Sequence, residues 1–338
     1  MTERLRVALV GAGLAARSHA LDIVTDDSLE LAGVAGGNSS SASDLAGLFG
    51  GVVYPDLEAL LSDPAVDGVI VAVPPSAVFD VLDRVAEAGT PCLAEKPVAT
   101  CQEQLSRLER LVRCEAPVAA PFNRRYQPHV RYAASAMAAL GEIAVIQASW
   151  SGPFRARFGE DSGTYRARAR RREGVVTDSG AHALDAVSLL LGGMTAISVR
   201  TAALACNDRG ADVEGRFTFD SGGVAVEVSL ADTPAGPGCG EWQIRVRGSN
   251  ACLCVDEHEC VVQSQDGGGR QVTAAGTMDR PVSDLRALIS REKPAGTALG
   301  ELLAVSGLVS AVYDMALPGS PHWLRPRGKA LGRLNGAC

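Results

Sequence analysis

Short apolar runs alternate with stretches of helical spacing through the first third of the chain. Residues 6–10 (RVALV) read as a buried strand, and apolar positions then recur with helical period over 14–24. The alternation continues with strands over 29–35 (LELAGVA), 68–73 (GVIVAV), 91–94 and 117–120, and with helices over 40–49, 56–61, 76–88 and 101–112. Continuous apolar strands separated by such helices predict βαβ units and a parallel sheet covered on both faces. Beyond residue 121 the pattern changes. Helices over 129–140 and 178–191 stand among alternating strands over 143–150, 196–205, 213–219, 224–230, 242–247, 251–255 and 260–263, and one more amphipathic helix spans 297–317. Runs of strands with few helices predict an α+β domain on a largely antiparallel sheet. The expected organisation is an α/β domain over 1–121 and an α+β domain over 122–338, with the last helix able to pack back on the first domain.

Composition narrows the class. At 338 residues the chain has room for two domains. A hydrophobic share of 46% with 21% charged residues fits a soluble globular protein. A net charge of −7 argues against general binding to nucleic acid or an anionic membrane. The first apolar run is short and broken by glycines, unlike a signal peptide, and no later stretch reaches the apolar length of a membrane span. Nine cysteines without paired spacing point to a reduced, cytoplasmic setting. Cys252, Cys254, His258 and Cys260 read as a hairpin with packed thiols, since zinc cysteines more often stand in C-x₂-C spacing, and no metal is expected.

The first strand runs into Gly11-Ala-Gly13-Leu14-Ala15-Ala16, a G-x-G-x-x-A turn. Gly11 allows the tight turn, Gly13 lets backbone approach a pyrophosphate, and Ala16 lets the helix pack closely. Placed between a strand and a helix at the start of an alternating unit, the turn predicts a Rossmann domain that binds a dinucleotide. The second strand ends Gly36-Gly37-Asn38-Ser39-Ser40, with no carboxylate for the ribose hydroxyls of NAD. No Lys or Arg occurs between Arg17 and Arg84 to hold a 2′-phosphate. Without the acid's repulsion, Asn38, Ser39 and Ser40 can donate to such a phosphate, so NADP is favoured slightly over NAD.

Two further stretches carry candidate chemistry. Of 32 basic residues 29 are arginine, yet position 96, within CLAEKPVAT, is lysine. Lysine differs from arginine in being a compact donor with a tunable proton; chance placement is the alternative. Thr177–Gly192 (TDSGAHALDAVSLLLG) places Asp178, His182 and Asp185 on one helical face, beside an apolar face of Leu184, Val187 and Leu191. A carboxylate four residues before a histidine orients the ring for acid–base work, or is merely a surface pair.

Taken in order, Gly11-x-Gly13-x-x-Ala16, Val71-Ala-Val73-Pro74-Pro75, Glu95-Lys96-Pro97 and Asp178-x-Gly180-x-His182-x-x-Asp185 resemble the glucose–fructose oxidoreductase, inositol dehydrogenase and rhizopine catabolism (Gfo/Idh/MocA) family. His19, Asn123-Arg124-Arg125-Tyr126, Gly141-Glu142-Ile143 and Tyr165-Arg166 add to the likeness, which covers most of the chain. The resemblance implies an NAD(P)-dependent dehydrogenase or reductase, with nicotinamide in the cleft between a Rossmann domain and an open-sheet domain. It implies Lys96, His182 and Asp178 as catalytic, with Lys96 beside the reacting hydroxyl, His182 as acid or base, and Asp178 holding substrate or histidine. Val73, Pro74, Pro75, Glu95, Lys96 and Asn123 would join the cofactor site. Arg125, Tyr165 and Arg166 would join Lys96, Asp178 and His182 around a small-molecule substrate, a sugar, cyclitol or derivative. A cis peptide before Pro97 would aim Lys96 into the cleft. The open sheet favours a homodimer or homotetramer.

The chain also departs from the family. The glycine cluster before the later helix is reduced to Arg172-Glu173-Gly174, and Tyr165-Arg166 replaces Trp-Arg. Seven arginines, Arg155, Arg157, Arg166, Arg168, Arg170, Arg171 and Arg172, make a basic island there. It reads either as a grip on an anionic substrate, such as a nucleotide sugar, sugar phosphate or acid sugar, or as a solvated or subunit-facing loop. Two other functions stay open: a glycosidase of the same family that uses bound cofactor transiently, and a cofactor-binding regulator or scaffold without chemistry.

Overall fold

The computed structural model describes residues 4–36, 39–96, 99–234, 240–264, 267–273 and 280–317. The first third folds as strand–helix repeats: β1 (Leu5–Val10), α1 (Leu14–Val24), β2 (Leu29–Ala35), α2 (Ser39–Phe49), β3 (Val52–Tyr54), α3 (Leu57–Leu61), β4 (Gly68–Val71), α4 (Pro75–Glu87), β5 (Cys92–Ala94), α5 (Gln102–Arg113) and β6 (Val118–Ala120). All six strands run parallel in the order 3-2-1-4-5-6. The apolar runs are continuous because both faces are covered: all four residues of β4 are buried.

The chain then passes through a 3₁₀ turn (Asn123–Tyr126) into α6 (Pro128–Ala136), β7 (Ile143–Gly152) and the single turn α7 (Phe154–Arg157). A π-helical turn (Val176–Gly180) leads directly into α8 (Ala181–Leu191). Seven strands follow: β8 (Ser198–Cys206), β9 (Asp212–Ser221), β10 (Val224–Asp232), β11 (Trp242–Gly248), β12 (Ala251–Asp256), β13 (Glu259–Ser264) and β14 (Gly269–Thr273). With β7 they form an eight-stranded sheet in the order 14-13-12-11-7-10-9-8, antiparallel except where β7 meets β10. Ile146, Ala148 and Trp150 on one face of β7 are buried, whereas Gln147 and Ser149 on the other border an open depression. Cys252, Cys254 and Cys260 lie on the hairpin β12–β13.

The last described segment returns to the first sheet. After α9 (Val282–Ile289), the two residues of β15 (Thr297–Ala298) pair antiparallel with β6, and α10 (Leu299–Ala316) follows at once. The expected division at residue 121 therefore covers only the parallel strands. The sequence reading missed β3, α7, β14, α9 and β15, all short elements in which periodicity has little room to show. It also expected no stretch as apolar as a membrane span, yet α10 has 18 residues at a mean hydropathy of 1.4. This helix is a core element: Leu302, Val305, Leu308, Val309, Val312 and Tyr313 are buried, and it packs against α5, α8 and β8.

Candidate active site

The glycine turn is fixed by backbone geometry. Gly11 has φ +108°, and a Cβ there would sit 2.4 Å from the carbonyl oxygen of Ala72, so only glycine fits between β1 and the end of β4. A Cβ on Gly13 would meet nothing within 4 Å, because the backbone faces open space. Ala16 is fully buried where α1 meets the sheet, while Leu14 and Ala15 are exposed at the helix start. Gly13 caps α1 without a side-chain hydrogen bond, which leaves the first N–H groups available. These features fit the pyrophosphate of a dinucleotide. Gly36 has φ +80° just past β2, while Asn38 and the side chain of Ser39 lie outside the described residues. Pro74 and Pro75 begin α4 beside the cleft.

Glu95 and Lys96 leave the end of β5 with different partners. The Nε2 atom of His19, a buried residue of α1, lies 2.9 Å from Glu95 Oε1. Burial would raise the Glu95 pKa, but the His19 hydrogen bond and charge and the charge of Lys96 together lower it. Lys96 Nζ donates to Asp178 Oδ1 at 2.9 Å. Arg166 forks onto the same carboxylate, Nε to Oδ2 at 3.1 Å and Nη2 to Oδ1 at 2.9 Å, and Arg157 Nη1 stands 3.6 Å from Oδ2. Burial alone would raise the Asp178 pKa, but the charge of Lys96 and the bonds and charge of Arg166 hold it far below the usual carboxylate range.

The expected partnership of Asp178 with His182 is not what forms. Asp178 sits in the π turn, whose wider ring breaks the α-helical spacing, and it is engaged by the three cations. His182 makes no hydrogen bond among the described residues, and its Nδ1 is buried without a partner. Its ring meets Phe122 edge-on, with centroids 5.4 Å apart and an interplanar angle of 81°. Burial first, then the charge of Lys96, lowers its pKa well below the ordinary histidine value, so the imidazole is neutral near pH 7. Asp185, the third member of the expected face, is fully buried, accepting from Arg125 Nε at 2.9 Å and Thr297 Oγ1 at 2.7 Å.

Arg125 is a second correction. It is 3% exposed and held between Asp185 and Glu301, the latter at 3.0 Å, so it joins segments of the fold and is not available to a substrate. Asn123 is exposed on the neighbouring turn. The side chain of Tyr165 and the peptide before Pro97, where a cis bond was expected, lie outside the described residues.

Lys96 and Asp178 open into a cavity of about 440 Å³, bounded by Pro74, Pro75 and Ser76 on one side and by Phe158, Arg168, Arg170 and Thr177 on the other. His182 is not in its wall. The seven arginines thus have separate fates. Arg155 pairs with Glu214 and Asp232, Arg157 and Arg166 serve Asp178, Arg171 reaches the carbonyl of Leu317, and Arg172 binds Asp314. The exposed side chains of Arg168 and Arg170 have no hydrogen-bond or ion-pair partner among the described residues, and both line the cavity. Sequence reasoning did not separate these two from the other five, nor did it single out Thr177 or Ser76; the position of Thr177 beside Asp178 was the available signal for it.

Known proteins agree with this architecture. Residues 5–120 match the oxidoreductase family with an NAD-binding Rossmann fold, and residues 132–254 match the GFO/IDH/MocA C-terminal domain. A dTDP-3,4-didehydro-2,6-dideoxy-alpha-D-glucose 3-reductase from Streptomyces violaceoruber is 26% identical over 310 residues, 88% of each chain. GenD2 from gentamicin A biosynthesis, solved with NAD, superposes with a TM-score of 0.76 at 22% identity, covering 95% of this chain and 96% of its own. KijD10, a 3-ketoreductase from Actinomadura kijaniata solved with NADP and TDP-benzene, gives 0.74 at 22% identity, covering 93% and 98%. The glycine turn, the two sheets and both domain matches make this chain a member of the Gfo/Idh/MocA family, an NAD(P)-dependent oxidoreductase.

Proposed function

We propose that the chain interconverts a carbinol and a ketone on a sugar, cyclitol or sugar derivative that carries an anionic group. The observation that carries this reading is the pair Arg168 and Arg170, whose side chains have no partner among the described residues in the wall that also holds Lys96 and Asp178. Two unspent guanidinium groups suit a phosphate or carboxylate. The nicotinamide, when bound, supplies or accepts the hydride.

The chain's own residues divide the remaining work. Lys96 donates to the substrate oxygen and stabilises the negative charge that develops there. Asp178 and Arg166 keep the ammonium pointing into the cavity. His182, which lies outside the cavity wall but is part-exposed and neutral near pH 7, is proposed as the proton acceptor in the oxidative direction, taking the proton of the substrate hydroxyl. NADP is the proposed cofactor, supported by the absence of a carboxylate at the end of β2; parallel fluorescence titrations with NADPH and NADH test it, and tighter NADH binding would refute it. Pairing of two copies through the open face of the eight-stranded sheet is proposed for the assembly, with light scattering as its test.

Removing both cavity arginines (Arg168→Ala with Arg170→Ala) tests the substrate class. KM for a sugar phosphate or nucleotide sugar is expected to rise on the order of tenfold or more, the worth of a charge-assisted hydrogen bond. KM for the neutral sugar is expected to stay put. Equal effects on both would refute the anionic reading.

A further inference from the structure

Helix α10 lies outside the cavity wall, yet its polar residues reach both sides of it. Ser306, Ser310 and Tyr313 follow one another at i, i+4 and i+7, on a single face of a helix otherwise buried through apolar residues. All three are buried, at 0%, 7% and 0% exposure. Ser306 Oγ accepts from the N–H of Ala99 at 3.2 Å, three residues beyond Lys96. The carbonyl of Ser310 accepts from Arg172 at 3.1 Å. The hydroxyl of Tyr313 lies 2.8 Å from Asp212 Oδ1 and 2.9 Å from Oγ1 of Thr177, the residue before Asp178.

Asp212 completes the connection. It is fully buried and has no ion pair among the described residues, an arrangement that is costly unless its oxygens are hydrogen-bonded. The Gly174 N–H at 3.2 Å, the Val176 N–H at 2.8 Å and the Tyr313 hydroxyl supply those bonds. The backbone is pressed against it so closely that a Cβ on Gly174 would fall 2.1 Å from the Asp212 carbonyl oxygen. The π turn bearing Asp178 begins within this contact. A π turn is a rare and wide helical ring, and this one is held from outside by one carboxylate and one phenol.

We infer that Tyr313 and Ser306 are positioning residues: α10 fixes the turn that bears Asp178 against the loop that bears Lys96, and so sets the contact between them. Seven residues of helix separate the two anchor points, about 10 Å along the axis. The functional consequence rests on the proposed role of Lys96, but the geometry is testable without any substrate.

Lysine is rare enough in this chain to serve as its own probe. An amine held in an ion pair acylates slowly, and one released from it acylates faster. Trace acetylation of the full-length protein with acetic anhydride, read by peptide mass spectrometry, gives the rate at Lys96 relative to exposed Lys293. Asp178→Asn is expected to raise that ratio. Tyr313→Phe, which removes one oxygen, is expected to raise it about fivefold, the worth of one ordinary hydrogen bond. Ser306→Ala approaches from the other side and should act in the same direction, which keeps the test open if Tyr313→Phe does not fold. Ser310→Ala is the control, because that residue binds mainly through its carbonyl, and should leave the ratio unchanged. A wild-type ratio in both Tyr313→Phe and Ser306→Ala, or an equal rise in Ser310→Ala, would overturn the inference. Loosened Lys96 with undiminished turnover would leave the positioning intact and refute Lys96 as the reacting group.

Discussion

The glycine turn and the arginine-rich segment are encoded differently. In the turn, Gly11 is required by its own φ and by the oxygen of Ala72, and Ala16 by the approach of α1 to the sheet. Each need is visible in a six-residue pattern. In the segment, seven arginines within 18 residues look equivalent in sequence but do different work. Arg155 is paired with Glu214 and Asp232, and Arg172 with Asp314, carboxylates that lie far along the chain. A backbone constraint selects a residue type locally. A charge acquires its role from whichever partner the fold brings to it.

The largest effect that sharpens this contrast belongs to Arg125, which the sequence grouped with the substrate residues. Arg125→Leu leaves Asp185 buried without its cation and is expected to cost about 3–5 kcal/mol of stability. Denaturant unfolding checks this, and KM for substrate should not follow. Next come the two glycines of the nucleotide turn. Gly11→Ala forces a Cβ into Ala72 at a left-handed backbone position, a strain of about 1–3 kcal/mol, and should lower Tm and cofactor affinity together. Gly13→Ala meets no protein atom, so Tm should hold while NAD(P)H binding weakens. A fall in Tm in both variants would erase the distinction between a glycine needed by the fold and one needed by the ligand.

A smaller effect concerns acid. The folded-state pKa of Asp178 is depressed, so the stability its ion pairs contribute is full above the ordinary carboxylate range and drains away as pH falls below it. Asp178→Asn has no such proton to take up. Its deficit in denaturant midpoint relative to the wild type should therefore shrink between about pH 5 and pH 3. A constant deficit would mean that the carboxylate is not held as described.

The glycine turn, the parallel strands and the motifs around Lys96 and Asp178 were legible because each depends on residue type within a short window. The engagement of Asp178 was not. Its spacing to His182 suggested an α-helical pair, but a π turn intervenes and three cations from other segments take the carboxylate. Asp212 and Tyr313 were invisible for the same reason. A buried carboxylate at the start of a strand has no sequence signature until the helix that caps it, 101 residues later, is in place.

The ammonium of Lys96 is proposed to carry the chemistry on a charged sugar. The most direct measurement is the steady-state consumption of reduced nicotinamide by the wild type and by Lys96→Met over keto-sugars and their phosphates, with both proteins saturated with cofactor as judged by fluorescence. Turnover by the wild type on a phosphorylated or nucleotide-linked ketone is expected, with a loss on the order of 10²–10³ in the variant. Near-normal turnover by Lys96→Met, or a wild type that holds cofactor and reduces none of these ketones, would contradict it.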